Sequence, residues 1–294
     1  MSNSTSASSP QPSDALADLV GRAAPSLVAV HSPRWRSSGF FWRSGLIVTA
    51  DEALAEDGEI SVALSGGDTI PAAVVGRDAS TDIALLKIER SDAPVVALEA
   101  SKPRVGAFAL ALGAQNGAPI AAAGIVAVAG PAWRSLRGGE MDARIELDLS
   151  LRRNGEGGLA LDASGRAFGM VVFGPRRRAL VIPAETIERV AAKLQAHGRI
   201  ARGYLGLGLR TTKLDDGGAA AIIVMNVAPN GPGAAAGLRQ GDIIVTWEDR
   251  PVQDVRALLR ALGPESVGRK VKLSLVRAGQ PMEATLTIGE RPEN

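Results

Sequence analysis

From Ala24 to about Ile182 the chain is a succession of short apolar or alternating segments, each cut off by Gly, Pro, Asp or Asn. Examples are Ser26–Val30, Gly45–Thr49, Ile60–Leu64, Ala72–Val75, Ile83–Ile88, Ala107–Leu112, Ile125–Val128, Ile145–Leu149 and Phe168–Phe173. Segments this short and this regularly interrupted predict β-strands of a sandwich or barrel and disfavour a helical bundle. The 34 glycines and 17 prolines supply the turns such a fold needs. With only 3% aromatic residues, the core has to be built from Val, Leu, Ile and Ala.

The pattern changes after Ile182. Pro183 suits a first helical turn, and Ile187, Val190, Ala191 and Leu194 recur at helical spacing before Gly198, a natural stop. Beyond the small, basic stretch around His197–Gly203 a second layout begins. Strands are expected at Leu205–Leu209 and Ala221–Val227, a turn region at Pro229–Gly237, and a strand at Asp242–Trp247. A helix at Gln253–Leu262 and closing strands at Lys270–Arg277 and Met282–Ile288 complete a small α+β unit. Residues 1–13 are Ser, Pro, Asn and Gln with little to bury, and residues 1–22 as a whole are expected to be a disordered tail. The expected division is a first domain over 23–198, a linker over 199–203 and a second domain over 204–290.

Composition excludes several chemistries. The absence of cysteine removes disulfides, thiol catalysis and thiolate metal sites. Only His31 and His197 are available for imidazole chemistry. A formal charge of +2 gives no general push toward nucleic acid, and no nucleic-acid partner or cofactor is expected. No apolar run reaches the roughly 18 residues that span a bilayer. The N-terminus has no basic start followed by an apolar stretch, so a cytoplasmic location is expected if Met1 is the native start, and a periplasmic one if the N-terminus was trimmed.

Several blocks resemble those of the HtrA type of trypsin-like serine protease. GLIVTADEAL (Gly45–Leu54) is similar to the strand that ends in Thr-Asn-x-His in that family. DIALLKI (Asp82–Ile88), preceded by Val74–Asp78, resembles the catalytic-aspartate strand. IELDLSLRRNGEGGLAL (Ile145–Leu161) resembles the block with Pro-Gly-Asn-Ser-Gly-Gly-Pro-Leu, with Asp148, Gly157 and Gly158 in step; Gly124-Ile125-Val126 fits a Gly-Ile-Val strand. The resemblance covers nearly all of the chain after the tail. It implies a mostly β fold: a trypsin-like double β-barrel with its site in the cleft between barrels, followed by a small α+β PDZ domain.

At the positions matching the catalytic triad stand Glu52, Asp82 and Glu156. Serine protease chemistry needs a hydroxyl nucleophile and an imidazole base oriented by a carboxylate. Only the carboxylate is present, so the expectation is a degenerate, non-enzymatic homologue with no catalytic residues. The resemblance implies that the three acids converge, and three outcomes stay open: they point into solvent, bind a hard cation through oxygen, or activate water as acid and base. No metal residue is assigned. Asn154 stands where the family has the glycine of its oxyanion turn, and its tolerance of left-handed backbone would let the turn survive. Arg152 and Arg153, beside it, are read as exposed loop residues or as a counter-charge for Glu156.

The last domain resembles an HtrA-type PDZ domain through Val227–Val245, VAPNGPGAAAGLRQGDIIV. That resemblance implies peptide binding by strand addition, with Tyr204, Leu205, Gly206 and Leu207 forming the loop for a C-terminal carboxylate. Leu205, Leu207 and Leu209, with Val255, Leu258 and Leu259, are candidates either for the side-chain pocket or for the core behind it. Expected partners are peptides or protein C-termini, with the chain acting as scaffold, adaptor, chaperone or accessory subunit. The alternatives are a hydrolase with an unusual carboxylate or metal-dependent site, and a structural subunit of a larger complex. The resemblance also implies a homo-oligomer, a trimer by family habit. Trp35 and Trp42 are divided between core packing and an oligomer contact, and Arg176-Arg177-Arg178 is read as a solvated turn or a contact for an acidic partner.

Overall fold

The structure is a computed structural model that describes residues 12–90, 92–135, 137–174, 177–214 and 218–292. It divides into two units, residues up to Arg199 and residues from Ile200 onward, with 137–139 counted in the second.

The first unit begins with helix α1 (Pro12–Ala23), where a tail was expected; residues 1–11 lie outside the described residues. Leu19 on this helix is buried, and that burial gives the segment a reason to be ordered despite its polar start. Two closed barrels follow. The first runs through β1 (Leu27–His31), β2 (Arg36–Arg43), β3 (Leu46–Thr49), β4 (Ile60–Ala63), β5 (Thr69–Asp78) and β6 (Ile83–Lys87) in the order β1-β2-β3-β6-β5-β4. Alternation sends Val28, Val30, Phe41, Ile47, Val62 and Leu86 into its core.

The second barrel is built from β7 (Phe108–Gln115), β8 (Ala118–Gly130), β11 (Arg144–Asp148), β12 (Gly158–Leu161), β13 (Ala167–Phe173) and β14 (Ala179–Pro183), ordered β11-β14-β13-β12-β7-β8. A small hairpin, β9 (Trp133–Arg134) and β10 (Glu140–Met141), sits between β8 and β11 in the chain. Ile145, Leu147, Phe168, Val171 and Val181 fill this barrel around small alanines such as Ala109 and Ala111. Helix α2 (Ala184–His197) buries the expected stripe of Ile187, Val190, Ala191 and Leu194 and ends at Gly198, whose φ is +73°.

Trp42 is only 2% exposed, and its indole donates to Glu188 Oε1 at 2.9 Å on α2 while Arg43 stacks on its ring. It is core, not an oligomer contact. The Arg176–Arg178 run falls partly outside the described residues; Arg178 pairs with buried Glu146 at 3.3 Å.

In the second unit β15 (Gly203–Tyr204) pairs with β22 (Gly289–Glu290). The main sheet is ordered β16-β17-β18-β20-β21, from β16 (Leu207–Lys213), β17 (Ala220–Val227), β18 (Ile243–Trp247), β20 (Lys270–Arg277) and β21 (Gln280–Thr287), with β19 (Arg250–Pro251) on β18. Two short helices, α3 (Pro232–Ala235) and α4 (Val255–Arg260), complete it. Asp254 caps α4 by accepting from Ala257 N at 2.6 Å.

Buried Asp242, with its side chain 1% exposed, takes both arms of Arg277, at 2.7 and 2.8 Å, and the Arg239 N–H at 2.8 Å. The guanidinium holds its carboxyl below the usual range. Arg277→Ala leaves that charge buried with one backbone donor, and is expected to cost about 3 kcal/mol in urea unfolding of the second unit.

Candidate functional site

Three turns of the first unit carry Glu52, Asp82 and Glu156. One is the 3₁₀ turn Asp51–Ala53 after β3. Arg77 on β5 clamps it, reaching Asp51 Oδ1 at 2.5 Å and the carbonyls of Asp51, Leu54 and Ala55 at 3.1, 3.3 and 2.8 Å. With Asp51 buried and so held, the next side chain, Glu52, is exposed.

The second turn lies before β6. Asp78 ties it by accepting from Ser80 N and Oγ at 3.1 and 2.6 Å and from Thr81 Oγ1 at 2.7 Å. Asp82 then takes φ +58°, the left-handed region that Asp enters more readily than most residues. Its Oδ1 accepts from Glu52 N at 2.7 Å, and its carbonyl accepts from Asp51 N at 3.3 Å, so these two turns are locked to each other.

The third turn carries Glu156. Residues Arg153–Gly155 form a 3₁₀ turn in which the N–H groups of Gly155 and Glu156 donate to the carbonyls of Arg152 and Arg153, at 2.8 and 3.1 Å. Both donors are therefore spent inside the turn. An oxyanion site needs such donors aimed outward at a substrate oxygen. The left-handed residue here is Gly157, at φ +84°, and not Asn154. The turn is bound to β2: Ser38 N donates to Glu156 O at 2.7 Å, and the Ser38 hydroxyl donates to Asn154 O while accepting from Ala114 N at 2.8 Å.

The three acids share one field. Desolvation pushes Asp82 up to about 7, and the charges of Glu156, Asp51 and Glu52 add to the rise against the hydrogen bond from Glu52 N. Glu156, 4% exposed, is also raised, first by burial and then by Glu52, against a hydrogen bond from the Phe173 backbone and the charge of Arg153. The indole N–H of Trp35 lies near enough to favour the ionised form of Glu156, yet completes no hydrogen bond of normal geometry. So Glu52 is exposed, Asp82 half-buried and Glu156 buried. Among the described residues no group of three or more His, Asp or Glu is arranged to hold a metal ion. The acids share a field without forming a cation cage.

No hydroxyl or imidazole stands at these positions. His31 ends β1 opposite Arg36 and Ser61, half-buried and with its pKa lowered by burial and by Arg36; His197 is exposed in the last turn of α2. Sequence reasoning missed the parts that hold the acids in place: the Arg77 clamp, the Asp78 loop and the Ser38 hydroxyl. Only Asp78-Ala-Ser-Thr carried a local signal, that of an Asp side chain closing its own turn.

In the second unit the candidate peptide residues separate. Leu205 and Leu258, 4% and 5% exposed, are core. Leu207, Leu209 and Val255 are partly buried against that core, and Leu259 is 54% exposed. Tyr204 is half-buried in the β15–β22 ladder, and Gly206 is buried at φ +66° with its carbonyl taken by Ala228 N at 2.8 Å. Strand β16 is the edge of the sheet, and α4 is joined to it where Val255 N donates to Thr211 Oγ1 at 3.2 Å.

Residues 37–170 match the trypsin-like peptidase domain family, and residues 203–288 match the PDZ domain family. Over 95% of this chain and 99% of the other, the fold superposes on the "HtrA-type protease AlgW with decapeptide" with a TM-score of 0.72 and 26% identity. The chain belongs to the HtrA type of trypsin-like peptidase. A serine endoprotease from Yersinia pestis matches 97% of this HtrA-type chain over its own full length, with a TM-score of 0.73 and 28% identity. Proteins named "Probable periplasmic serine endoprotease DegP-like" are 28% identical in Rhizobium meliloti, over 89% of this chain and 55% of theirs, and 30% identical in Bartonella henselae, over 87% and 54%. The chain thus spans about half the length of these curated relatives.

These relatives overturn two expectations. They are named serine endoproteases, so kinship points to the peptidase class and not to a chain without enzymatic activity. They are also named periplasmic, against a cytoplasmic location. The positions matched to the triad by resemblance hold Glu52, Asp82 and Glu156.

Proposed function

We propose that this HtrA-type protein works on polypeptides in the periplasm, recognising their C-termini through its PDZ domain. The observation that carries this reading is the free edge of β16 beside α4. An extended peptide adds to such an edge as a further strand, its carboxylate held in the loop Tyr204–Leu207 and its last side chain lodged between Leu207, Leu209 and Val255. Leu205 and Leu258 form the floor. The neighbour with a bound decapeptide supports a peptide ligand for this fold.

A labelled peptide with an apolar C-terminal residue is expected to bind in fluorescence anisotropy. Leu209→Asp should weaken it at least tenfold, by placing a carboxylate in the pocket, and so should amidation of the peptide's own C-terminus. Equal affinity for the amidated and free peptides would sink the C-terminus reading.

A second reading concerns the cleft, and the pKa of about 7 at Asp82 favours it. Peptide-bond hydrolysis in this cleft would run through carboxylates. Protonated Asp82 would serve as the acid, and a neighbouring glutamate, Glu156 or Glu52, would draw a proton from water. The expected signature is cleavage of an unfolded substrate that Asp82→Asn abolishes and a serine-directed fluorophosphonate leaves untouched. Cleavage stopped by the fluorophosphonate, or no cleavage across pH 5–9, would rule this reading out.

A further inference from the structure

Four arginines lie on the two segments that meet at Trp35, and among the described residues none of them forms an ion pair. Arg34 and Arg36 flank Trp35 in the chain, and Arg152 and Arg153 open the turn that carries Glu156. All four are exposed. Trp35 joins the two segments, since the guanidiniums of Arg34 and Arg153 stack on its one ring at 4.5 and 4.2 Å from the centroid. Arg36 is steadied by Asn116 Oδ1 at 2.9 Å, a neutral partner. Among the described residues no Asp or Glu oxygen lies within 4.0 Å of any of the four, whereas Arg77, Arg144, Arg178 and Arg277 all have acid partners.

Stacking on Trp35 orders the guanidiniums of Arg34 and Arg153. Two guanidiniums on one indole repel each other, and cation–π contact recovers only about 0.5–1 kcal/mol for each at an exposed site. The buried Glu156 carboxyl feels the charge of Arg153, yet among the described residues it makes no ion pair within 4.0 Å with any of the four. A planar, pre-ordered set of arginine donors matches carboxylates in paired, two-pronged hydrogen bonds.

We infer that the Arg34–Trp35–Arg36 and Arg152–Arg153 patch is a docking surface for an acidic polypeptide segment, one carrying several Asp or Glu side chains. It rests on the reading of the chain as a polypeptide-binding protein and adds a charge preference separate from C-terminus capture. A peptide partner is favoured over nucleic acid because the patch is small, adjoins the turn that carries Glu156 in a trypsin-like peptidase domain, and belongs to a chain whose net charge is only +2.

The test uses the full chain and a labelled hexaglutamate peptide with an amidated C-terminus, which removes the carboxylate that the PDZ domain would capture. Binding is expected in 50 mM salt and should weaken at least fivefold at 200 mM. The double variant Arg34→Ala/Arg153→Ala should lose at least tenfold. Arg152→Glu, at a side chain that makes no hydrogen bond or ion pair among the described residues, should lose a similar amount with unchanged melting and covers the case in which the double variant fails to fold. Binding of hexaglutamate that neither variant weakens would overturn the proposal, as would equal binding of hexalysine or tighter binding of a single-stranded oligonucleotide of the same charge. An uncharged peptide with a free apolar C-terminus, run in parallel, tests the PDZ reading by itself: its loss with hexaglutamate binding intact would strike that reading alone.

Discussion

Asp82→Asn is expected to stabilise the first unit at pH 8 by about 1–3 kcal/mol and to change little at pH 4. The ordinary aspartate value is 3.8, and in the folded cleft Asp82 is pushed up to about 7. The folded state therefore holds its proton more tightly than the unfolded chain does. That contribution is complete below about pH 4 and disappears as pH rises toward 7. Above 7 the fold must keep a carboxylate charged beside Glu156, Asp51 and Glu52. The rise from 3.8 to about 7 corresponds to about 4 kcal/mol, and the half-buried position trims it through solvent screening. Asparagine keeps an oxygen for the Glu52 N–H, so the lock between the two turns survives. Urea unfolding at pH 4, 6 and 8 reads the difference directly. A variant equally destabilised at all three would mean that the carboxylate is held for its charge, against its desolvation.

Gly157→Val is expected to abolish stable folding of the first unit, a loss of more than about 4 kcal/mol. Two costs coincide at this residue. Its φ of +84° is closed to a β-branched side chain, and a Cβ there would lie 2.3 Å from Ser38 O and 2.9 Å from Ala50 N. Both are backbone atoms of the first barrel, so no side chain can swing away. Gly106→Ala is the control: its φ of +83° is equally left-handed, but nothing lies within 4 Å, and a loss of about 1–2 kcal/mol is expected from strain alone. Thermal melting of the two variants separates close approach from backbone strain. Equal losses would remove the claim that the Glu156 turn is wedged against β2.

Much of the fold was legible along the chain because strands and α2 announce themselves by period. Ile187, Val190, Ala191 and Leu194 can share a face only in a helix, and Gly198 stops it where a left-handed residue is required. The barrel strands follow from alternation, and the resemblance of three ordered blocks supplied their closure. Helix α1 was not legible, because Pro12–Ala23 is polar at its start and owes its order to burying Leu19, a contact made elsewhere in the fold. Trp42 was ambiguous for the same reason: its partner, Glu188, is 146 residues away. Leu205 and Leu259 read alike as leucines at a groove, and only packing sends one to the core and the other to solvent.

The residues at the candidate site were a matter of sequence alone: Glu52, Asp82 and Glu156 stand where the resemblance puts the triad, and no folding changes what atoms they carry. How those atoms behave was decided in three dimensions. Burial and mutual charge raise Asp82 and Glu156, the Arg77 clamp leaves Glu52 outside, and the turn before Glu156 consumes its own N–H donors. A pKa and the direction of an N–H depend on solvent exclusion and on neighbours distant in the chain, which one-dimensional spacing does not encode.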